Sequence, residues 1–374
     1  MKKIFSLSLI ILIIVGFYSF TVSAIETDDM DNLESDIKNE LLDIIDDDVL
    51  GILEEIGIDE LDFENVYNIS FENITNFFSD TMLDKIRICF TDFFELLSIV
   101  ILAGLLSALL QKDAKENFID LLSMIILTLL TVNTISETLS AVVSVLQMSG
   151  KFMLSFVPMY TLLISLSGNP ASALTYNTFV IGFAEFISYI ITSGITDVLG
   201  VFFSLGVSFS LNPSINVSRL ISALNKFISV TLGLMASLFS GFLSLKSILS
   251  ASVDGLSVKG IRFLLGSLIP IIGSSISDAY SSLLGSINII KGSVAVIGIL
   301  VVVIINVPVI FETLAYYISF SMLSYIADAL SANRAGDIFR CFSCGVRILM
   351  LVCIFEMFIL IISTGVILSI KNGG

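Results

Sequence analysis

The chain has 374 residues, 56% of them hydrophobic and only 14% charged, and its mean hydropathy is +1.00. A charged share this low leaves too little polar surface for a water-soluble core, so lipid is the expected solvent for most of the chain. The formal net charge of −16 is local: Ile25–Asp84 carries 20 acidic residues and the single Lys38, whereas from Lys85 onward 15 basic residues face 14 acidic ones. No face is basic enough to expect nucleic acid as a partner, and the absence of histidine removes the commonest general base, metal ligand and pH switch.

In chain order, Lys2 and Lys3 precede an apolar run from Ile4 to Phe20, and Val22-Ser23-Ala24 supplies small residues at a cleavage position. This is the pattern of a secretory signal peptide over residues 1–24, with an uncleaved anchor as the alternative. Residues 25–88 form the acidic region, expected outside the cytoplasm. Within it Met30, Leu33, Ile37, Leu41, Ile44 and Ile45 recur at helical spacing with carboxylates on the opposite face. A second amphipathic stretch begins near Asp59. Such helices either form a solvated collar or offer a docking surface.

Residues 89–374 read as a polytopic helical membrane domain of about eight spans, giving an all-α fold. Phe93–Leu110 and Phe118–Ile135 form a hairpin around Gln111–Lys115, and Phe152–Ser167 and Leu174–Gly194 form another around Gly168-Asn169-Pro170. Val198–Leu211 is short for a crossing and ends at Asn212-Pro213, which suggests a re-entrant or interfacial segment. Phe227–Leu245, Ser293–Val307, Ile310–Leu330 and Ile348–Ile370 complete the spans. The positive-inside rule puts Lys112 and Lys115 in the cytoplasm, together with the Arg334–Arg340–Arg347 region.

The stretch from Lys259 to Lys291 is the second irregular segment. Lys259 and Arg262 lead into apolar sequence interrupted by Gly266, Pro270 and Gly273 and followed by Asp278. Broken backbone at membrane depth requires protein or a water-filled cavity around it, so these residues are candidates for lining a passage. Glu185 and Glu356 fall inside predicted spans, where an ionisable group costs about 2.5–3.5 kcal/mol and therefore turns inward. Each is either an ion or proton relay or a protonated carboxyl bonded to a neighbour.

The four cysteines do not make an exported disulfide framework, because only Cys89 lies near the acidic region. Cys341-Phe-Ser-Cys344 has C-x-x-C spacing, read either as small apolar helix residues or as a redox or metal pair. No second pair or histidine completes a zinc site. Neither a hydrolase elbow nor a phosphate-cradling loop is present, so no catalytic residue, metal or cofactor is expected.

Three stretches together carry a resemblance: Gly150-Lys-Phe-Met-Leu-Ser-Phe-Val-Pro158, Ser257-Val-Lys-Gly-Ile-Arg-Phe263, and Gly266…Pro270…Gly273…Ser277-Asp278-Ala279. In these the chain resembles the stage III sporulation protein AE family of endospore-forming bacteria. The resemblance implies a component of the assembly joining mother cell and forespore, sitting in the mother-cell membrane around the forespore. The implied partners are the other proteins of the stage III sporulation A operon and a forespore membrane protein. Two roles follow from it: a permease-like channel component for small molecules, needed for late forespore gene expression, or a non-conducting membrane scaffold for ring-forming partners.

Overall fold

A computed structural model describes residues 27–58, 71–109, 114–211, 219–241, 273–330 and 332–368, and every regular element among them is helical. The chain divides after Asp43 into two compact units. The first contains helix α1 (Thr27–Ile44), where the apolar spacing from Met30 to Ile44 predicts a helix.

The second unit opens with α2 (Asp47–Glu55). Asp46 caps it by accepting the Asp48 amide at 3.2 Å, and Asp47 and Asp48 place negative charge in the first turn, where the helix dipole favours it. The helix stops at Gly57, which adopts φ +96°; the Gly57 amide reaches the Glu54 carbonyl and the Ile58 amide the Leu53 carbonyl. A left-handed residue followed by these two bonds is the glycine stop of many helices. The second amphipathic stretch, from Asp59, and the signal-like residues 1–24 lie outside the described residues.

The membrane domain is built of a few long rods. They are α3 (Phe71–Leu109), α4 (Ala114–Leu166), α5 (Pro170–Ile190) continuing through a π turn (Ile191–Ile195) into α6 (Thr196–Leu211), α7 (Arg219–Gly241), α8 (Gly273–Ala329) and α9 (Asn333–Leu368). Five of them, α3, α4, α7, α8 and α9, are long and apolar enough to cross a bilayer. That is fewer than the eight expected spans, chiefly because two pairs of apolar segments are single helices. Phe118–Ile135 and all but the last residue of Phe152–Ser167 belong to α4: the intervening residues carry a buried stripe of Thr138, Val142, Leu146 and Ser149, and the helix runs on through Gly150. Ser293–Val307 and Ile310–Leu330 both belong to α8, which passes through Pro308. A proline inside a helix removes one donor, and packing on both sides sustains the remaining bonds.

Two further expectations change. Val198–Leu211 is no separate re-entrant piece, because α6 continues α5 through the π turn, whose flanking residues Ile190 and Thr196 are both helical in φ and ψ. The irregular segment also ends earlier than expected: from Gly273 the backbone is regular helix through Asp278 and Lys291, with Gly273 as its first residue. Lys259, Arg262, Gly266 and Pro270 lie outside the described residues, and Asp278 is placed by its backbone alone.

The Gly168-Asn169-Pro170 turn is as the sequence predicts. Gly168 adopts φ +86°, and its amide and that of Asn169 bond the Ser165 and Ile164 carbonyls, closing α4 with the same glycine stop. Pro170 then starts α5 at the position where its missing N–H costs nothing.

Contacts along the rods fix their directions. Lys85 and Asp92 of α3 meet Glu312 and Tyr316 of α8, and Gly104 meets Leu330 just past its end, so the two run parallel and end together. Ser149 and Phe156 of α4 meet Asn306 and Gly298, so α4 is antiparallel to α8. Ser321–Ser343 and Asp328–Arg340 make α9 antiparallel to α8 as well. The core lies where α3, α4 and α9 surround α8, with the α5–α6 rod packed on α4 and α9.

Candidate functional site: a polar layer inside the bundle

From Val294 to Phe311, α8 has one polar side chain, Asn306. It is fully buried. Its amide donates to the Ser149 hydroxyl of α4 at 2.8 Å and to the Val302 carbonyl at 2.9 Å. Its Oδ1 has no partner among the described residues. Two residues on, Pro308 lacks an N–H, so the Ile304 carbonyl loses its helical donor.

Glu356 stands at the same level on α9. The thirteen residues from Ser343 to Glu356 match the thirteen from Ser321 back to Pro308, and Ser321 and Ser343 are hydrogen-bonded at 2.6 Å. Glu356 is 3% exposed, lies on the buried stripe of Leu349, Val352, Cys353 and Leu360, and its Oε2 has no partner among the described residues. At this level stand three oxygens without a donor, on two helices, and a Ser149 hydroxyl on α4 that accepts from Asn306 and keeps its own hydrogen to donate.

The α5–α6 rod passes α9 antiparallel. Tyr176 faces Thr364 near one end, and Gly206 and Phe203 pack on Cys341 and Gly345 near the other. Glu356 falls between these ties, opposite the end of α5 that carries Glu185 and runs into the π turn. The sequence-predicted carboxyl positions are thus brought to one level of the bundle, although the Glu185 side chain lies outside the described residues. A π turn replaces an i→i+4 bond by a wider one and recurs at functional positions.

A charged belt lies further along the bundle. Lys85 pairs with Glu312 at 2.6 Å, the Tyr316 hydroxyl donates to Asp92 at 2.8 Å, and Arg347 donates to Asn225 of α7 at 2.6 Å. Only Lys85 and Glu312 of the belt form an ion pair; Asp92 and Arg347 are met by the neutral Tyr316 and Asn225, and Arg347 Nε has no partner among the described residues. Along α9, Arg347 is nine residues from Glu356, about 13 Å at helical rise. On the flank, α4 and α6 leave a groove of about 960 Å³, lined among others by Ser140, Ser144, Gln147, Asp197, Ser204 and Ser208.

Sequence reasoning singled out Glu356 and passed over Asn306, Ser149 and the groove. A usable signal was present for the first: a lone Asn in an otherwise apolar run, two residues before a proline. The groove had none, because hydroxyls spaced for one helix face do not reveal the neighbour. The four cysteines are free and buried; Cys341 packs against Gly206, and the Cys344 thiol faces Asn225 at 3.6 Å.

Residues 58–370 match the family model described as Stage III sporulation protein AE. The chain is also 20% identical over 204 residues to the Stage III sporulation protein AE of Bacillus subtilis (strain 168), an alignment covering 54% of this chain and 51% of that relative. The chain thus spans about half the length of the curated relative it matches. No solved structure matches. With a family model covering most of the membrane domain, the chain belongs to the stage III sporulation protein AE family.

Proposed function

We propose that this protein is a multi-pass membrane component of the complex linking mother cell and forespore, and that its bundle forms part of a permease-like path for small molecules. It sits in the mother-cell membrane around the forespore with its acidic N-terminal region outside the cytoplasm. It works with the other stage III sporulation A-operon proteins and a forespore membrane partner, and it catalyses no reaction. The observation that carries the reading is the layer at Glu356: an unpaired carboxyl, an orphaned amide oxygen and a proline-freed carbonyl inside an apolar bundle. Buried polar groups normally find partners, and transport proteins are where such layers and interrupted helices recur. Lys259, Arg262, Gly266 and Pro270, just before α8, are the candidates for a gate, and Gly273 and Asp278 continue it into the helix.

Solute flux into liposomes holding the purified protein, with and without its partners, tests the path. Flux above that of protein-free vesicles, reduced in Glu356→Gln, is expected. A specific observation favours the second reading, a non-conducting scaffold: α8 is crowded against α4 through Gly298 and Phe156, and α9 against α6 through Gly345 and Phe203. Absent flux in an intact, partner-bound complex would decide for the scaffold.

A further inference from the structure

We infer that the groove between α4 and α6 is a binding site for a linear aliphatic polyamine, with Asp197 as its anchor. Two helix faces build it. Ser140, Ser144 and Gln147 recur at i, i+4 and i+7 on α4, and Asp197, Ser204 and Ser208 recur at i, i+7 and i+11 on α6. Each helix thus turns one polar stripe into the same space. The groove measures about 960 Å³, within the size range of small-molecule sites, about 300–1,000 Å³. Gly200 leaves room in it, since a Cβ there would meet nothing within 4 Å.

The lining asks for donors and for positive charge. Ser204 and Ser208 donate their hydroxyl hydrogens to the Gly200 and Ser204 carbonyls, each at 2.9 Å. What they keep for an occupant is lone pairs. The Asp197 carboxylate also only accepts, and it has no ion pair or hydrogen bond among the described residues. No cation of the two helices offsets it: α6 contains no Lys or Arg, and Lys151 of α4 lies outside the lining, four residues past Gln147.

Asp197 and Ser208 are eleven residues apart, about 16 Å at helical rise. The complementary occupant is therefore long, carries a cation at one end and brings further N–H donors along its length. In a polyamine, one ammonium pairs with Asp197, the methylenes lie on Val143 and Val201, and the next nitrogen donates to the serine oxygens. An anion would be repelled by Asp197, and lipid tails bring no donors. A metal ion fits less well, because no cluster of three Cys, Asp or Glu side chains that could hold one occurs among the described residues. Binding here requires no flux through the bundle.

Thiol protection tests the groove by itself, undisturbed by amine binding to the acidic N-terminal region. Val201, a lining residue 60% exposed, is replaced in the full-length protein in nanodiscs of neutral lipid as Val201→Cys; the four native cysteines are buried. Spermidine is expected to slow modification of the introduced thiol by the neutral reagent methyl methanethiosulfonate, and to do so saturably. Sodium chloride at equal ionic strength and the uncharged 1,8-octanediol should not. Adding Asp197→Asn should raise the half-protecting concentration by about tenfold, the weight of one charge-assisted hydrogen bond. Adding Gly200→Leu, which fills the groove and keeps the carboxylate, should abolish protection; if Asp197→Asn does not fold, this variant decides alone. Absence of protection by spermidine would overturn the proposal. So would protection that survives either variant or that sodium chloride reproduces. A thiol that stays unreactive without spermidine would overturn it as well, by showing the groove already covered by lipid or a partner.

Discussion

Glu356 and Glu312 are both carboxylates on neighbouring helices of one bundle, yet their surroundings assign them opposite roles. Glu312 has Lys85 at 2.6 Å, with side-chain exposures of 14% and 36%. Replacing Lys85 by Met removes the partner and leaves a half-buried charge, which should cost about 1–2 kcal/mol after allowing for solvent screening. The companion change Glu312→Gln should recover most of it, as thermal unfolding in detergent would show; equal loss in the single and double variants would mean that the pair contributes nothing. Glu356 has no partner to lose. Glu356→Leu should therefore leave stability unchanged or raise it by about 1–3 kcal/mol, since it removes an unsatisfied acceptor and keeps the volume. A clear loss of thermal stability in Glu356→Leu would instead make it a structural hydrogen-bonding residue.

At the scale of the element, the glycines of α8 separate two kinds of helix surface. A Cβ on Gly298 would collide with the Phe156 ring of α4, whereas a Cβ on Gly285 meets nothing within 4 Å. Gly298→Ala should overpack the α4–α8 contact and cost about 1–3 kcal/mol. Gly285→Ala should be neutral or gain up to about 1 kcal/mol from helix propensity. Phe156→Leu in the Gly298→Ala background should restore part of the loss, measurable as recovery of the unfolding midpoint; no recovery would mean that the ring is not what the new methyl group meets. The close approach matters for the site because the Ser149–Asn306 bond lies two turns from Gly298, and a wider α4–α8 spacing would stretch it.

For the molecule as a whole, the rods set a limit that hydropathy alone does not. α4 and α8 have 53 and 57 residues, about 80 and 86 Å long, against a hydrocarbon thickness of about 30 Å. A rod of this length that spans a bilayer would cross once and project beyond the lipid, where hairpins of two shorter spans would have returned. The parallel run of α3 and α8 brings the α3–α4 and α8–α9 connections to one end of the bundle and the α4–α5 turn to the other. Single cysteines at Lys112 and Asn333, in otherwise cysteine-free protein, should therefore react with an impermeant maleimide from the same side of a sealed vesicle. A cysteine at Leu174 should react from the opposite side. The positive-inside rule predicts that the first side is cytoplasmic, since Lys112, Lys115, Arg334 and Arg340 fall at or near these connections in the sequence. Lys112 and Asn333 labelled from opposite sides would break this arrangement.

The sequence by itself determined the helical class, the lipid-like solvent, the helix of the acidic region, the turn at Gly168-Asn169-Pro170 and the inward carboxyl Glu356. Each follows from composition, periodicity or the cost of a charge in an apolar run, all of which are local quantities. It also carried the family resemblance that the match over residues 58–370 bears out. Only the tertiary structure decided that Phe118–Ile135 joins Phe152–Ser167 and that Pro308 does not end a helix, because the donors and packing that hold a helix across Gly150 or a proline come from neighbouring rods. It alone placed Asn306, Ser149, Pro308 and Glu356 in one layer, for these residues are up to 207 positions apart in the chain. Antiparallel register, set by contacts such as Ser321–Ser343, is what brings them together.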